Sequence, residues 1–296
     1  MCCIMARRRR IRKFTDSVMR ETEGVRQEAR EACITAGNDN REQAMELPVN
    51  QFKKAIKSGK PQIGIWSSLS SHIVAEVLAG SGFDWVLLDT EHSPNELPMV
   101  QQQLHAMEGG AATPIVRVPW NDMVMIKRFL DIGAQSLLLP YVQSVEEAKN
   151  AVRFTRYPPQ GVRGVAGATR ATRYGRIKDY LKRVHEELCL LLQVETRAAT
   201  ANLDAIAAVE GVDGVFIGPN DLAADMGHLG NWQHPEVWKV MEEAAKRIRK
   251  AGKAPGILVG EADGQRCLDM GYLFVAVGAD VGMLARGSEA LAAKFK

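Results

Sequence analysis

From residue 52 onward the chain alternates between two hydrophobic patterns. Short, nearly continuous apolar runs, of the kind that make strands covered on both faces, alternate with segments whose apolar positions recur every three to four residues. The first pattern predicts strands at 62–66, 85–89, 115–118, 136–139, 188–194, 212–217, 254–258 and 273–277. The second predicts a short helix carrying Phe52, Ala55 and Ile56, then helices at 72–79, 97–108, 123–132 and 145–154. A helical segment with Leu203, Ile206, Ala207 and Val209 on one face follows, then 237–251, a helix through 266–270, and 283–294. Gly80, Gly82, Gly133 and Gly211 stand where helices stop. Eight strand signals, each separated from the next by helix or loop, predict an α/β chain folded as a (β/α)8 TIM barrel. A doubly wound open sheet is the alternative; the chain has no Gly-rich dinucleotide fingerprint after an early strand and no P-loop.

In a barrel, ligands collect at the carboxyl ends of the strands, so the residues that end each run become informative. The run 188–194 ends on Glu195, and the run 212–217 ends at Gly218-Pro219-Asn220-Asp221. Two consecutive parallel strands thus deliver one acid each to the same end of the sheet, an arrangement suited to a hard divalent cation. The plainer alternative is that Glu195 caps the next helix and Asp221 forms an Asx turn; the amide of Gln193 beside Glu195 favours the cation. The second strand ends in Asp89-Thr90-Glu91-His92, where His92 can serve as a general base with Asp89 close enough to orient it. The third ends in Arg117, which would steady an oxyanion or carboxylate. Singly, a rim histidine and a structural ion pair would explain these two. A Schiff-base aldolase needs a lysine inside the barrel. Lys127, Lys149, Lys178, Lys182, Lys239, Lys246 and Lys250 fall in predicted helical segments, while Lys60 and Lys253 precede strands, so a metal is the expected electrophile.

Composition narrows the class without deciding the chemistry. The 296 residues are 46% hydrophobic and 25% charged, with a net charge of +3 that owes much to Arg7–Arg10, Arg12 and Lys13. Beyond that cluster the chain is near neutral, so nucleic acid is not an expected partner. No apolar run approaches the roughly 18–20 residues that span a bilayer, and five cysteines without metal or disulfide spacing suit a reducing compartment, so a cytoplasmic protein is expected. Residues 1–47 are basic, mixed in charge and poorly periodic; they are expected to be an extension outside the fold, with Met45 as the natural start and 48–296 as the barrel domain. The Gly- and Arg-rich connection 157–175, with Arg163, Arg170 and Arg173, is expected to be a lid or substrate loop.

The stretches PQIGIW, AGSGFDWVLLDTEHSPN, RYPPQGVRGV, EGVDGVFIGPNDLAADMG, KAPGIL and LFVAVG resemble the class II pyruvate-dependent aldolases, over about five-sixths of the chain. The resemblance implies a divalent metal (Mg²⁺, Mn²⁺ or Co²⁺) on Glu195 and Asp221, His92 as base, and Arg117 as stabiliser of the developing enolate. It further implies that Gln193 contacts the pyruvate moiety, that Asn220 occupies a substrate-contact position usually held by a small residue, and that Asp131 raises the basicity of His92. Asp131 is predicted late in a helix, at the opposite end of its own barrel, so it would act across a subunit boundary, in keeping with a homohexamer. The implied reaction is retro-aldol cleavage of 4-hydroxy-2-oxoheptanedioate to pyruvate and succinate semialdehyde, with Arg170 or Arg173 expected to hold the distal carboxylate. Relatives acting on 2-dehydro-3-deoxy sugar acids, the CoA-ester lyases, and a non-catalytic binder of pyruvate or oxaloacetate are the alternatives.

Overall fold

The computed structural model describes residues 24, 26–28 and 45–296. The chain divides into two units, Met1–Met45 and Glu46–Lys296; residues 24 and 26–28 of the first are helical. The expectation of an extension at 1–47 falls almost wholly outside the described residues.

The second unit is the predicted barrel. Strands β1 (Gln62–Ser67), β2 (Trp85–Asp89), β3 (Thr113–Arg117), β4 (Ser136–Leu139), β5 (Cys189–Val194), β6 (Gly214–Ile217), β7 (Ala254–Leu258) and β8 (Phe274–Ala279) are all parallel and close in sequence order. β8 pairs back onto β1, with Gln62 opposite Phe274. Around them run α1 (Gln51–Lys57), α2 (His72–Ala79), α3 (Leu97–Ala106), α4 (Met123–Asp131), α5 (Val145–Thr155), α6 (Tyr180–Glu187), α7 (Arg197–Ala201), α8 (Leu203–Ala207), α9 (Pro219–Asp225), α10 (Pro235–Lys250), α11 (Glu261–Asp269) and α12 (Asp280–Ala293). None of the described helices is long and apolar enough to cross a membrane.

Strand residues alternate between two cores. One side chain set, including Val86, Leu88, Val116, Leu137, Leu139, Leu190 and Val215, packs outward against the helices. The other, including Trp85, Leu87, Ile115, Leu138, Leu191, Phe216 and Phe274, fills the barrel. Phe52 of α1 closes the N-terminal end of this interior, with its ring centroid 6.0 Å from Trp85 and 5.6 Å from Phe274. Two glycines make room for the large rings: a Cβ on Gly64 would lie 2.1 Å from the Trp85 ring, and one on Gly256 would lie 2.0 Å from Phe274. Large rings opposite bare backbone give interior density without strain.

Two helices depart from the hydrophobic pattern. The Gly-Pro-Asn-Asp sequence after β6 looks like a turn, but Pro219 opens α9, because its fixed φ and missing N–H suit the first helical turn. α6 buries only Tyr180 and Val184 and is otherwise polar, so it has little apolar period to detect; Lys178 lies in the turn before it. The segment 197–207 divides into two short helices at Asn202.

The connection 157–175 is not at the strand-end mouth, as its reading as a substrate loop required. It follows α5 and precedes β5, so it lies across the N-terminal end of its own barrel. There Arg163, fully buried, donates to Asp131 at 2.6 Å and stacks over Tyr157. Arg170 and Arg173 both pair with Glu108, at 2.7 and 2.9 Å, in the turn that follows α3.

Candidate active site

The carboxyl ends of β2, β3, β5 and β6 bring a group of charged side chains together. At the end of β5, Glu195 is only 2% exposed. Its Oε1 accepts from the backbone N–H of Tyr141 at 2.9 Å, and its Oε2 accepts from Gln193 Nε2 at 2.6 Å. It does not cap the next helix; Thr196 does, accepting from the Ala199 N–H. Burial pushes the Glu195 carboxyl up to about 7 against the hydrogen bond from Gln193, and the negative charges of Asp221 and Glu91 add to the rise.

Asp221 sits in the first turn of α9, not in an Asx turn, and its exposed carboxylate has no hydrogen bond or ion pair among the described residues. Gly218 ends β6 directly beside Glu195, where an added Cβ would lie 2.4 Å from Oε2. Only a residue without a side chain lets that carboxylate rest over the end of β6, one helical turn from Asp221. Asn220 is exposed beside it.

On the opposite rim, Arg117 donates from Nε and Nη2 to the two oxygens of Asp89, at 2.9 and 2.7 Å. Trp66 donates to the same Asp89 at 3.3 Å, and the guanidinium lies 4.9 Å from the Trp66 ring centroid. Burial works to raise the Asp89 carboxyl, but the hydrogen bonds and charge of Arg117 hold it below the usual range. The remaining Arg117 nitrogen, Nη1, faces Glu91 Oε2 at 2.8 Å. Burial carries Glu91 up to about 7 in spite of Arg117, with Asp89 and Asp221 contributing repulsion.

The pairing of Asp89 with Arg117 corrects the expectation that Asp89 orients the His92 ring. Both Asp89 oxygens are engaged by Arg117, and toward His92 the carboxylate accepts only the backbone N–H, at 3.4 Å. The His92 imidazole is 67% exposed, and its Nε2 lies 3.8 Å from Glu91 Oε1. Asp131 ends α4 at the other end of the barrel, bound to Arg163. The structure therefore assembles Asp89, Arg117, Gln193, Glu195 and Asp221, with His92 on the rim, and separates Asp131, Arg170 and Arg173 from them.

Two participants are not evident from the strand-end pattern. Glu91 stands between two residues of that pattern, but its inward turn depends on the backbone after β2. Tyr141 contributes a backbone N–H from a position with φ of 56°, which no side-chain motif announces.

The donor set at the mouth is all oxygen and over-acidic. Glu91, Glu195 and Asp221 repel one another, and Gln193 Oε1 is buried without a hydrogen-bond partner. A hard divalent cation answers both features, neutralising the carboxylates and ordering water that can donate to the orphaned acceptor. Glu195 and Asp221 fit as its ligands.

A parallel barrel whose strand-end mouth gathers several acids and one arginine is suited to metal-assisted lyase or hydrolase chemistry. Residues 62–287 match HpcH/HpaI aldolase/citrate lyase, and the chain belongs to that family. It is 57% identical over 248 residues to the 4-hydroxy-2-oxo-heptane-1,7-dioate aldolase of Klebsiella pneumoniae subsp. pneumoniae, covering 83% of this chain and 94% of that one. It is 56% identical over 252 residues to the pyruvate aldolase of Rhizobium etli, covering 85% and 99%. Among solved structures, an HpcH/HpaI aldolase/citrate lyase family protein from Burkholderia cenocepacia superposes with a TM-score of 0.81 at 38% identity, over 83% of this chain and 99% of that one. The chain is thus a carbon–carbon lyase of a family that generally depends on a divalent metal.

Proposed function

We propose that this protein cleaves 4-hydroxy-2-oxoheptane-1,7-dioate to pyruvate and succinate semialdehyde, a step in aromatic catabolism, in the cytoplasm. The high identity to relatives named for that reaction supports the substrate. The observation that carries the chemistry is the convergence of Glu195 and Asp221 opposite Arg117.

In this reading Glu195 and Asp221 hold Mg²⁺, Mn²⁺ or Co²⁺, which when bound supplies Lewis-acid polarisation of the substrate carbonyl. Gln193, fixed by the bond from its Nε2 to Glu195, borders the pyruvyl end, where its free Oε1 accepts from a donor such as a water molecule. His92 accepts the 4-hydroxyl proton as the C3–C4 bond breaks and the aldehyde leaves. The charge that develops on the enolate oxygen faces Arg117, whose plane is pre-set by Asp89 and Trp66, so little reorganisation is needed at the moment of reaction. Asn220 borders the substrate from the first turn of α9.

Asp131, Arg170 and Arg173 can serve this site only from a neighbouring subunit, since they occupy the far end of their own barrel. A homohexamer is the assembly we propose. The apolar surface that α12 and the C-terminus leave exposed, at Val281, Met283, Leu284, Leu291 and Phe295, supports subunit contact. The catalytic domain in this reading is the unit Glu46–Lys296, which starts two residues earlier than expected because Leu47 is buried in its core.

The test is an aldol-cleavage panel of 4-hydroxy-2-oxo acids, including the dioate and 2-dehydro-3-deoxy sugar acids, read as pyruvate release with Mn²⁺ and with EDTA. The dioate should react fastest and EDTA should abolish the reaction; a preference for a sugar acid would reassign the substrate. Exchange of the pyruvate methyl protons that EDTA abolishes would separate an enzyme from a binder.

A further inference from the structure

We infer that Glu91 is a positioning residue that links the base to the arginine: one of its oxygens braces the Arg117 guanidinium, and the other stabilises the positive charge that His92 acquires on taking a proton. The inference rests on the roles proposed above for His92 and Arg117.

Glu91 lies in the loop after β2, between Asp89 and His92, and its two oxygens face different partners. Oε2 is 2.8 Å from Arg117 Nη1, and Oε1 is 3.8 Å from His92 Nε2. Asp89 consumes the Nε and Nη2 donors of Arg117, so Nη1 is the open corner of the guanidinium, and Glu91 is the group it meets. That contact is one of charge without alignment, because Oε2 is buried and accepts no hydrogen bond. A partner held in this way can release Nη1 to an incoming oxyanion without sacrificing a directed bond.

The second oxygen faces the base. Among the described residues, Glu91 is the only acid within ion-pair distance of the His92 ring, since Asp89 accepts just the backbone N–H and is committed to Arg117. The other charged groups that face Glu91 are Arg117 from β3, Asp89 from β2 and Asp221 from α9. Burial raises the Glu91 carboxyl to about 7, so near neutral pH its charged form is present in part, and a charged His92 ring favours that form and takes it as its counter-charge within the same subunit.

The experiment compares the full-length protein with Glu91→Gln and Glu91→Asp, measuring kcat/KM for Mn²⁺-dependent pyruvate release against pH, with thermal melts to check folding. Glu91→Gln should lower kcat/KM by about tenfold or more. The acid limb should move to lower pH by about half a unit, because the imidazolium loses its counter-charge in a partly screened position. Glu91→Asp should recover part of the rate. A folded Glu91→Gln protein within about twofold of wild type, or one slower with an unmoved acid limb, would overturn the inference. If the wild type released no pyruvate under any metal, the underlying functional reading would fail first and take this inference with it. A wild type that is active while both variants keep its pH profile isolates the failure to Glu91.

Discussion

Glu195 and Glu91 both sit near a carboxyl pKa of about 7, raised from an ordinary 4.5 chiefly by burial. A carboxyl whose folded pKa is raised adds stability while it stays protonated, so its contribution is complete below about pH 4.5 and is lost as pH rises through about 7. The metal-free protein should therefore lose melting temperature between these values. Mn²⁺ should restore it, with a gain that grows as pH rises, because the ion binds the deprotonated form. Differential scanning in EDTA and in Mn²⁺ across this range checks both slopes; a metal-free melting temperature that climbs with pH would contradict the assignment. The side-chain types for this site were legible in the sequence, because acids, an arginine and an amide at successive strand ends form an uncommon set. Their pairings were not. Asp89 stands three residues before His92, yet its carboxylate belongs to Arg117 on the next strand, a contact set by parallel register.

At the scale of the element, the end of β6 is the critical junction. Gly218→Ala should leave the barrel intact but displace Glu195, whose Oε2 would lie 2.4 Å and Cβ 2.9 Å from the new methyl group. Calorimetric Mn²⁺ affinity should fall about tenfold or more, in the range set by disturbing the groups that orient a metal ligand. Unchanged affinity would show that the carboxylate relaxes freely. In the interior, Gly256→Ala would drive a methyl group into Phe274, which is locked against Phe52, Trp85 and Phe216. Overpacking of this kind costs about 1–3 kcal/mol, to be read from urea unfolding. Strands and most helices were legible because apolar period encodes burial directly. α6 showed only in the helical placement of Lys182, without bounds, since two buried residues in eight leave almost no period, and α9 was hidden by a proline that marks a turn and a helix start equally well.

For the whole molecule, the two ends of the barrel divide function from support. Asp131→Ala would leave Arg163 fully buried with Nε, Nη1 and Nη2 all lacking hydrogen-bond partners. Breaking a buried pair from one side costs about 3–5 kcal/mol, so this variant should unfold at markedly lower urea even if Asp131 also serves a neighbouring site. Asp131→Asn retains a polar acceptor for Arg163 and should separate the two roles: lost activity with near-normal stability would point to action across the subunit boundary. Sedimentation should find six chains per particle, and a monomer with full activity would exclude that contribution.

The sequence by itself determined the eight parallel strands, their order, and the residue types presented where each strand ends, because periodicity and chain direction are local properties. Only the tertiary structure decided which charges meet: Asp89 with Arg117, Glu91 between Arg117 and His92, and Arg163 with Asp131. Those partners lie on different strands and loops, and their distances follow from barrel closure and side-chain packing, which no stretch of the chain encodes alone.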